Sequence, residues 1–246
     1  MARQTALITG ANKGIGFAIA RQLAERGFSV WLGCRDEKRG ELAAQMLRDL
    51  GHDAQSIVLD VVDDESVRAA AEKIGRTVAS LDVLVNNAGM HFGYPPPASE
   101  EPIEQMRAML DVNALGPVRI TQAFLPLLRK AQSARIVMMS SGLGSIDGTA
   151  DMTSENWTVG FAGYCASKAA LNMFMLKFAK DLMNEGIKVN AADPGLTATD
   201  LTGHMGERTP AQAAAIAVQL ATLDALGPTG GFFHDGTSST LVRHRW

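Results

Sequence analysis

Thr5-Ala6-Leu7-Ile8-Thr9-Gly10-Ala11-Asn12-Lys13-Gly14-Ile15-Gly16 begins as a short apolar run, breaks at a glycine and closes on two more. Beyond it Ile15, Ile19 and Leu23 recur at helical spacing before Gly27, so the stretch reads as strand, glycine turn, helix. The glycines permit positive φ and close backbone approach, and the helix start behind them offers free N–H groups to a pyrophosphate. A glycine turn by itself often only packs a helix on a strand. One that follows a strand and opens a helix is a dinucleotide signal, here spaced T-G-x-x-x-G-x-G rather than G-x-G-x-x-G.

The same alternation continues along the chain. Strands are expected at 29–32, 56–59, 83–85, 136–139, 187–192 and 231–234, and helices at 41–50, 67–78, 103–128, from Tyr164 onward, and from Thr209 to about Leu226. Thr209-Pro210-Ala211-Gln212 has the N-cap, Pro at N1 and Gln at N3 of a helix start. Gly116-Pro117 should kink the 103–128 helix. Residues 90–101, with Pro95-Pro96-Pro97, and 142–163 read as loops, and 196–208 as a mobile segment. Strands alternating with helices imply one parallel sheet, doubly wound and Rossmann-like, with helices on both faces and ligands at the carboxyl ends of the strands. No composition shift or linker divides the chain, so 1–246 is taken as a single α/β domain.

Composition narrows the function. The 246 residues are 46% hydrophobic and 20% charged, which is globular usage, and the net charge of −3 gives no reason to expect a nucleic-acid partner. Two cysteines, Cys34 and Cys165, are too few for a disulfide framework or a cysteine-rich zinc site. The N-terminal residues carry no signal-like segment and no apolar run reaches membrane-spanning length, so a cytoplasmic protein without a membrane partner is expected. His52, His91, His204, His234 and His244 lack metal-ligand spacing, and no metal is expected.

Chemistry enters with Tyr164-Cys165-Ala166-Ser167-Lys168. Four residues make one helical turn, so Tyr164 and Lys168 share a face. An ammonium one turn away favours the phenolate and should lower the Tyr164 pKa, making a tuned general acid; the alternative is a surface helix with a half-buried Tyr and a solvated Lys. At the end of the second strand stand Gly33-Cys34-Arg35-Asp36. NADH-preferring folds place a carboxylate there for the ribose 2′-hydroxyl. Here Arg35 can grip a 2′-phosphate, with Lys13 as a second cation, unless Arg35 is merely solvated or paired with Asp36. Asp60, after the third strand, either lies beside the adenine or caps a turn.

Thr9 to Gly16, Asn86-Asn87-Ala88-Gly89, Asn113, Ser141, Tyr164 with Lys168, and Pro194-Gly195 come in an order that resembles the short-chain dehydrogenase/reductase family over nearly the whole chain. Lys13, Arg35 and the closing Gly230-Gly231-Phe232-Phe233-His234-Asp235-Gly236 are most similar to its NADPH-dependent carbonyl reductases. The resemblance implies that Tyr164 protonates the substrate carbonyl as hydride arrives, and that Ser141 hydrogen-bonds the same oxygen. Lys168 would tune Tyr164 and hold the nicotinamide ribose, and Asn113 would anchor a water that relays protons to Lys168. It assigns Gly10, Asn12, Lys13, Gly14, Ile15 and Gly16 to the pyrophosphate, Asp60 and Val61 to the adenine, and Asn87, Ala88 and Gly89 to the adenosine ribose region. Pro194, Gly195, Thr197 and Thr199 are assigned to the carboxamide.

The implied activity is reduction of a ketone, aldehyde or quinone with NADP(H), by a monomer or by a homo-oligomer such as a dimer or tetramer. A 3-oxoacyl thioester reductase, an alcohol dehydrogenase and a non-catalytic NADP(H)-binding regulator are the alternatives. Two departures stand out: the stretch from Ser141 to Tyr164 is longer than in the shortest family members, and Asp193 precedes Pro194 where other residue types are common. Residues 142–163 and 196–208 are expected to wall the substrate pocket, with Trp157 and Met205 as candidate apolar contacts.

Overall fold

A computed structural model of the protein describes residues 3–94, 96–235 and 241–246; Met1, Ala2, Pro95 and Gly236 of the stretches read above lie outside them. In chain order the strands are β1 (Thr5–Thr9), β2 (Ser29–Cys34), β3 (Ala54–Val58), β4 (Val83–Asn86), β5 (Arg135–Met139), β6 (Lys188–Ala192), β7 (Phe232–His234) and β8 (Val242–Arg243). The helices are α1 (Gly14–Glu25), α2 (Glu37–Asp49), α3 (Asp64–Thr77), α4 (Ile103–Leu110), α5 (Gly116–Leu128), α6 (Ile146–Ala150), α7 (Ala162–Leu182) and α8 (Pro210–Ala221).

One sheet runs in the order β3-β2-β1-β4-β5-β6-β7-β8. β1 is flanked by β2 on one side and β4 on the other, both parallel to it, so the chain reverses direction across the sheet at β1, the crevice where such folds bind ligands. Along β1, Ala6 and Ile8 join a core with α1, α2 and α8, while Leu7 joins a second core with α3, α5 and α7. With helices on both faces, the central strands read as unbroken apolar runs.

Three expectations need correction. The sheet is not wholly parallel: β8, absent from the sequence reading, pairs antiparallel with β7, and a two-residue strand with both residues exposed leaves no apolar signal. The 103–128 helix is not simply kinked at Gly116-Pro117. It is interrupted by a π turn over Asp111–Leu115, where the N–H of Gly116 reaches back to the carbonyl of Asp111. Pro117 has no N–H for the carbonyl four residues back, that of Asn113. Residues 142–163 and 196–208 carry short ordered elements: α6, 3-10 turns at Gly142–Gly144, Glu155–Thr158 and Asp200–Thr202, and a Thr197–Arg208 bridge. The Thr209/Gln212 capping box forms as expected.

Candidate active site

The glycine turn is shaped from beneath. Thr9 Oγ1 accepts the N–H groups of Asn87 and Ala88 at 2.9 Å each, and Asn87 Nδ2 donates to the carbonyls of Thr9 and Gly10 at 2.9 and 3.3 Å. Gly10 holds φ +64°, and a Cβ on Gly16 would stand 2.4 Å from Asn87 Nδ2 and 2.5 Å from the Gly10 carbonyl. So Asn87 spends its side chain on the turn, and only a glycine fits at 16. Lys13 occupies the N-cap of α1 without a side-chain cap, which leaves the amides of the first turn pointing outward for an anion.

From this turn a cavity of about 600 Å³ runs along the strand ends to Tyr164 and Lys168, within the range of about 300–1,000 Å³ typical of cofactor clefts. It takes in Gly10, Asn12, Lys13, Gly14, Ile15 and Gly16 at one side and Asn87, Ala88 and Gly89 at the floor. Asp60 and Val61 lie on it as well. Asp60 also serves its own turn, accepting the Val62 N–H at 3.2 Å, which is the turn-carboxylate reading. Pro194 and Thr199 border the far end, whereas Gly195 and Thr197 do not. Thr197 is buried and its hydroxyl donates to the Gly195 carbonyl at 2.9 Å; it shapes the turn instead of facing the cleft.

At the end of β2 the cations differ from the expected pair. Arg35 lines the cavity and makes no ion pair among the described residues. Asp36 does not pair with it. Asp36 caps α2 by accepting the Arg39 N–H at 3.0 Å and faces the Arg39 guanidinium at 3.5 Å. Arg39, one turn into α2, therefore stands beside Arg35 at the cavity wall. The sequence reading missed it by starting that helix too late; Asp36 as an N-cap was the available signal. Lys13 is engaged across the mouth by Asp200 at 2.5 Å, with both side chains more than half exposed.

Tyr164 and Lys168 lie one turn apart on α7, as their spacing requires. The chain enters that helix through Phe161, whose φ of +62° is left-handed, a costly conformation for a bulky residue. Its ring meets His91 edge-on at 5.4 Å, and His91 meets Tyr164 the same way at 5.8 Å. Ser141, at the N-cap of the turn after β5, hydrogen-bonds with the Tyr164 hydroxyl. Neighbouring Ser140 lines the cavity, and its buried hydroxyl has no partner among the described residues.

The electrostatics differ from the tuned pair expected. Burial pushes the Tyr164 phenol upward, the bond with Ser141 pulls it back in part, and the charge on Asp193 adds to the rise. Lys168 Nζ donates to the Met139 carbonyl at 2.7 Å and sits 5.6 Å from the ring centroid. Burial in turn draws the Lys168 ammonium down to about 8, against the opposing charge of Asp193.

Asn113 sits fully buried in the π turn. Its Oδ1 accepts the Met90 N–H at 2.8 Å, and Nδ2 donates to the Met90 carbonyl at 2.8 Å and to Ser167 Oγ at 3.0 Å. Ser167 donates onward to the Tyr164 carbonyl at 2.7 Å. The amide thus locks the segment after Gly89 to the Tyr164 helix. Of the two expected pocket walls, Met205 approaches Tyr94, whose hydroxyl lies 3.7 Å from the Met205 sulfur, while the Trp157 side chain is half exposed. Among the described residues no cluster of metal-ligating side chains occurs, and no helix is long and apolar enough to cross a membrane.

Comparison with known proteins gives a consistent picture. The profile described as short chain dehydrogenase matches residues 4–210. The short-chain dehydrogenase anuI of Penicillium roqueforti is 36% identical over 98% of this chain and 96% of its own. The (-)-isopiperitenone reductase of Mentha piperita is 35% identical over 93% of this chain and 95% of its own. Among solved structures, NADPH-bound carbonyl reductase from chicken fatty liver superposes with a TM-score of 0.82 at 30% identity, over 95% of this chain and 97% of that one.

Proposed function

The chain belongs to the short-chain dehydrogenase/reductase family of oxidoreductases, which bind a nicotinamide cofactor, and on that footing we propose that it reduces a ketone, aldehyde or quinone with NADPH. The observation that carries the reading is that Tyr164 and Lys168 line one end of a cleft that begins at the glycine turn, with Ser141 hydrogen-bonded to Tyr164 behind them. NADPH supplies the hydride.

The residues of the chain do the rest. The first-turn amides of α1 take the pyrophosphate, and Arg35 with Arg39 takes the 2′-phosphate by charge-assisted bonds. Lys13 contributes less, because its charge is already met by Asp200. Lys168 holds the nicotinamide ribose hydroxyls and supplies positive charge beside Tyr164. The Tyr164 hydroxyl, protonated because it is buried, donates to the carbonyl oxygen. Ser141 donates to the same oxygen and stabilises the charge that develops there. Asn113 aligns Tyr164 through Ser167. Its side-chain N–H groups are both engaged, so a proton-relaying water finds its anchor at the main-chain carbonyl that Pro117 cannot serve. Tyr94 and Met205, which approach each other at 3.7 Å, and Trp157 are the candidate apolar contacts for the substrate.

The test is NADPH oxidation followed with a panel of aldehydes, ketones and quinones, each paired with an NADH control. Turnover of at least one class with NADPH preferred is expected. Tight NADPH binding with no turnover of any carbonyl would favour a binding protein over an enzyme.

A further inference from the structure

Asp193 has no task in the reduction just described, yet it is among the most elaborately held side chains in the protein. It follows β6 and is buried. Its Oδ1 accepts the Gly195 N–H at 2.9 Å, its Oδ2 accepts from His244 Nε2 at 2.8 Å, and the Gly142 N–H donates to it as well. One carboxylate therefore joins the turn after Ser141, the turn after Pro194 and the segment after β8. His244 is fixed in its own right. Its ring stacks on Phe232 at 4.3 Å and its N–H donates to the Phe232 carbonyl at 2.8 Å. Beyond it, Ser145 Oγ donates to the Arg245 carbonyl at 3.0 Å and the Asp147 N–H to the Trp246 carbonyl at 2.6 Å.

A carboxylate removed from water keeps its charge only with donors of this kind around it. Burial alone would push Asp193 up, but the bonds from His244, Gly195 and Gly142 hold it below the usual carboxylate range. The charged and titratable groups that share its field are Tyr164 and Lys168 from α7, His234 at the end of β7, Arg208 ahead of α8, and His244. Arg208 is already forked onto Asp235 at 2.7 and 2.5 Å. Lys168 makes no ion pair among the described residues; its Nζ donates to the carbonyl of Met139, and Met139 pairs in register with Ala192, the residue immediately before Asp193.

We propose that Asp193, secured by His244, is the buried counter-charge of the active site, a positioning residue that keeps Lys168 and Tyr164 protonated while the carbonyl is reduced. Its catalytic meaning rests on the reductase reading, whereas the electrostatic relation to Lys168 stands without it. Removing the negative charge eases proton loss from both groups, so the high-pH fall of kcat/KM moves to lower pH.

Two measurements test this. In the first, ¹³C-lysine NMR follows Lys168, its resonance identified by its loss in Lys168→Arg. Asp193→Asn should titrate Lys168 lower by about one pH unit or more. In the second, the pH profile of carbonyl reduction by Asp193→Asn should lose its alkaline limb earlier than wild type. His244→Phe keeps the ring stacked on Phe232 but removes the donor. It should move the alkaline limb the same way by less and raise the acidic limb as Asp193 protonates sooner, while His244→Gln, which restores an N–H, should recover part of both. An unmoved Lys168 titration in folded Asp193→Asn overturns the proposal. If that variant does not fold, an unchanged titration and pH profile in His244→Phe overturns it. A shifted Lys168 titration in a protein that reduces no carbonyl upholds the counter-charge and refutes the reductase reading.

Discussion

The Lys168 ammonium donates to the Met139 carbonyl at 2.7 Å, pinning the helix that carries Tyr164 to the end of β5. That bond is made inside the protein, where burial holds the ammonium at about 8 against an ordinary 10.5. The folded state therefore binds fewer protons than the unfolded chain between these values, and the wild type gains stability as pH rises through that window. Below about 8 the buried charge is a standing cost. Relative to Lys168→Met, wild type should become more stable from pH 8 to 10.5 by an amount on the order of 3 kcal/mol, read from denaturant melts across that range. A constant difference would place Lys168 outside the titrating set.

Tyr164→Phe should retain NADPH binding and lose turnover by roughly 10²- to 10⁴-fold, the usual worth of general acid catalysis. The packing of the ring against His91 survives the change, so melting temperature serves as the control. Turnover within a factor of two of wild type would remove Tyr164 as proton donor.

Arg35→Ala should weaken NADPH by about 10- to 150-fold while barely moving NADH, since a bond to a charged group is worth about 1.5 to 3 kcal/mol. Arg39→Ala should act in the same direction by less, because Arg39 shares its charge with Asp36. Fluorescence titration with both cofactors measures each loss. Equal losses for NADPH and NADH would mean that neither arginine reads the phosphate.

Asn113→Ala should be costly twice over. It leaves the Met90 N–H, the Met90 carbonyl and Ser167 without their buried partner, which costs about 1–3 kcal/mol for each orphaned group at most, and it frees Tyr164 from its alignment. Urea melts should show the first effect, and a fall in kcat at nearly constant NADPH affinity the second.

Much of this was legible in the chain. The central parallel strands carry short buried apolar runs, at 6–8, 30–32, 83–85 and 136–139, so each announced itself, and Thr209 to Gln212 spelled out its own capping box. What stayed hidden depended on partners distant in sequence. Asp36 is the local exception: it turns to Arg39, three residues on, instead of to Arg35, and an N-cap at Asp36 was the signal for it. Lys13 next to a phosphate turn reads as a phosphate ligand until Asp200 is seen across from it. The spacing of Tyr164 and Lys168 gave their common face but not the Met139 carbonyl that draws the ammonium away. Two exposed residues in β8 carried no pattern at all, and with them went the approach of His244 to Asp193.

The turn at Gly10 takes its shape from Asn87 and Ala88, which meet Thr9 across 78 and 79 positions of chain. Its competence is thus not a property of the local peptide. A fragment ending after β2 contains every glycine of the signature and none of the scaffolding that holds them, and grafting those residues into another protein would transplant the letters without the brace. During synthesis the same dependence sets a sequence of events: β1 must wait for β4 before the nucleotide cleft exists, so cofactor can assist folding only after the chain has reached residue 88.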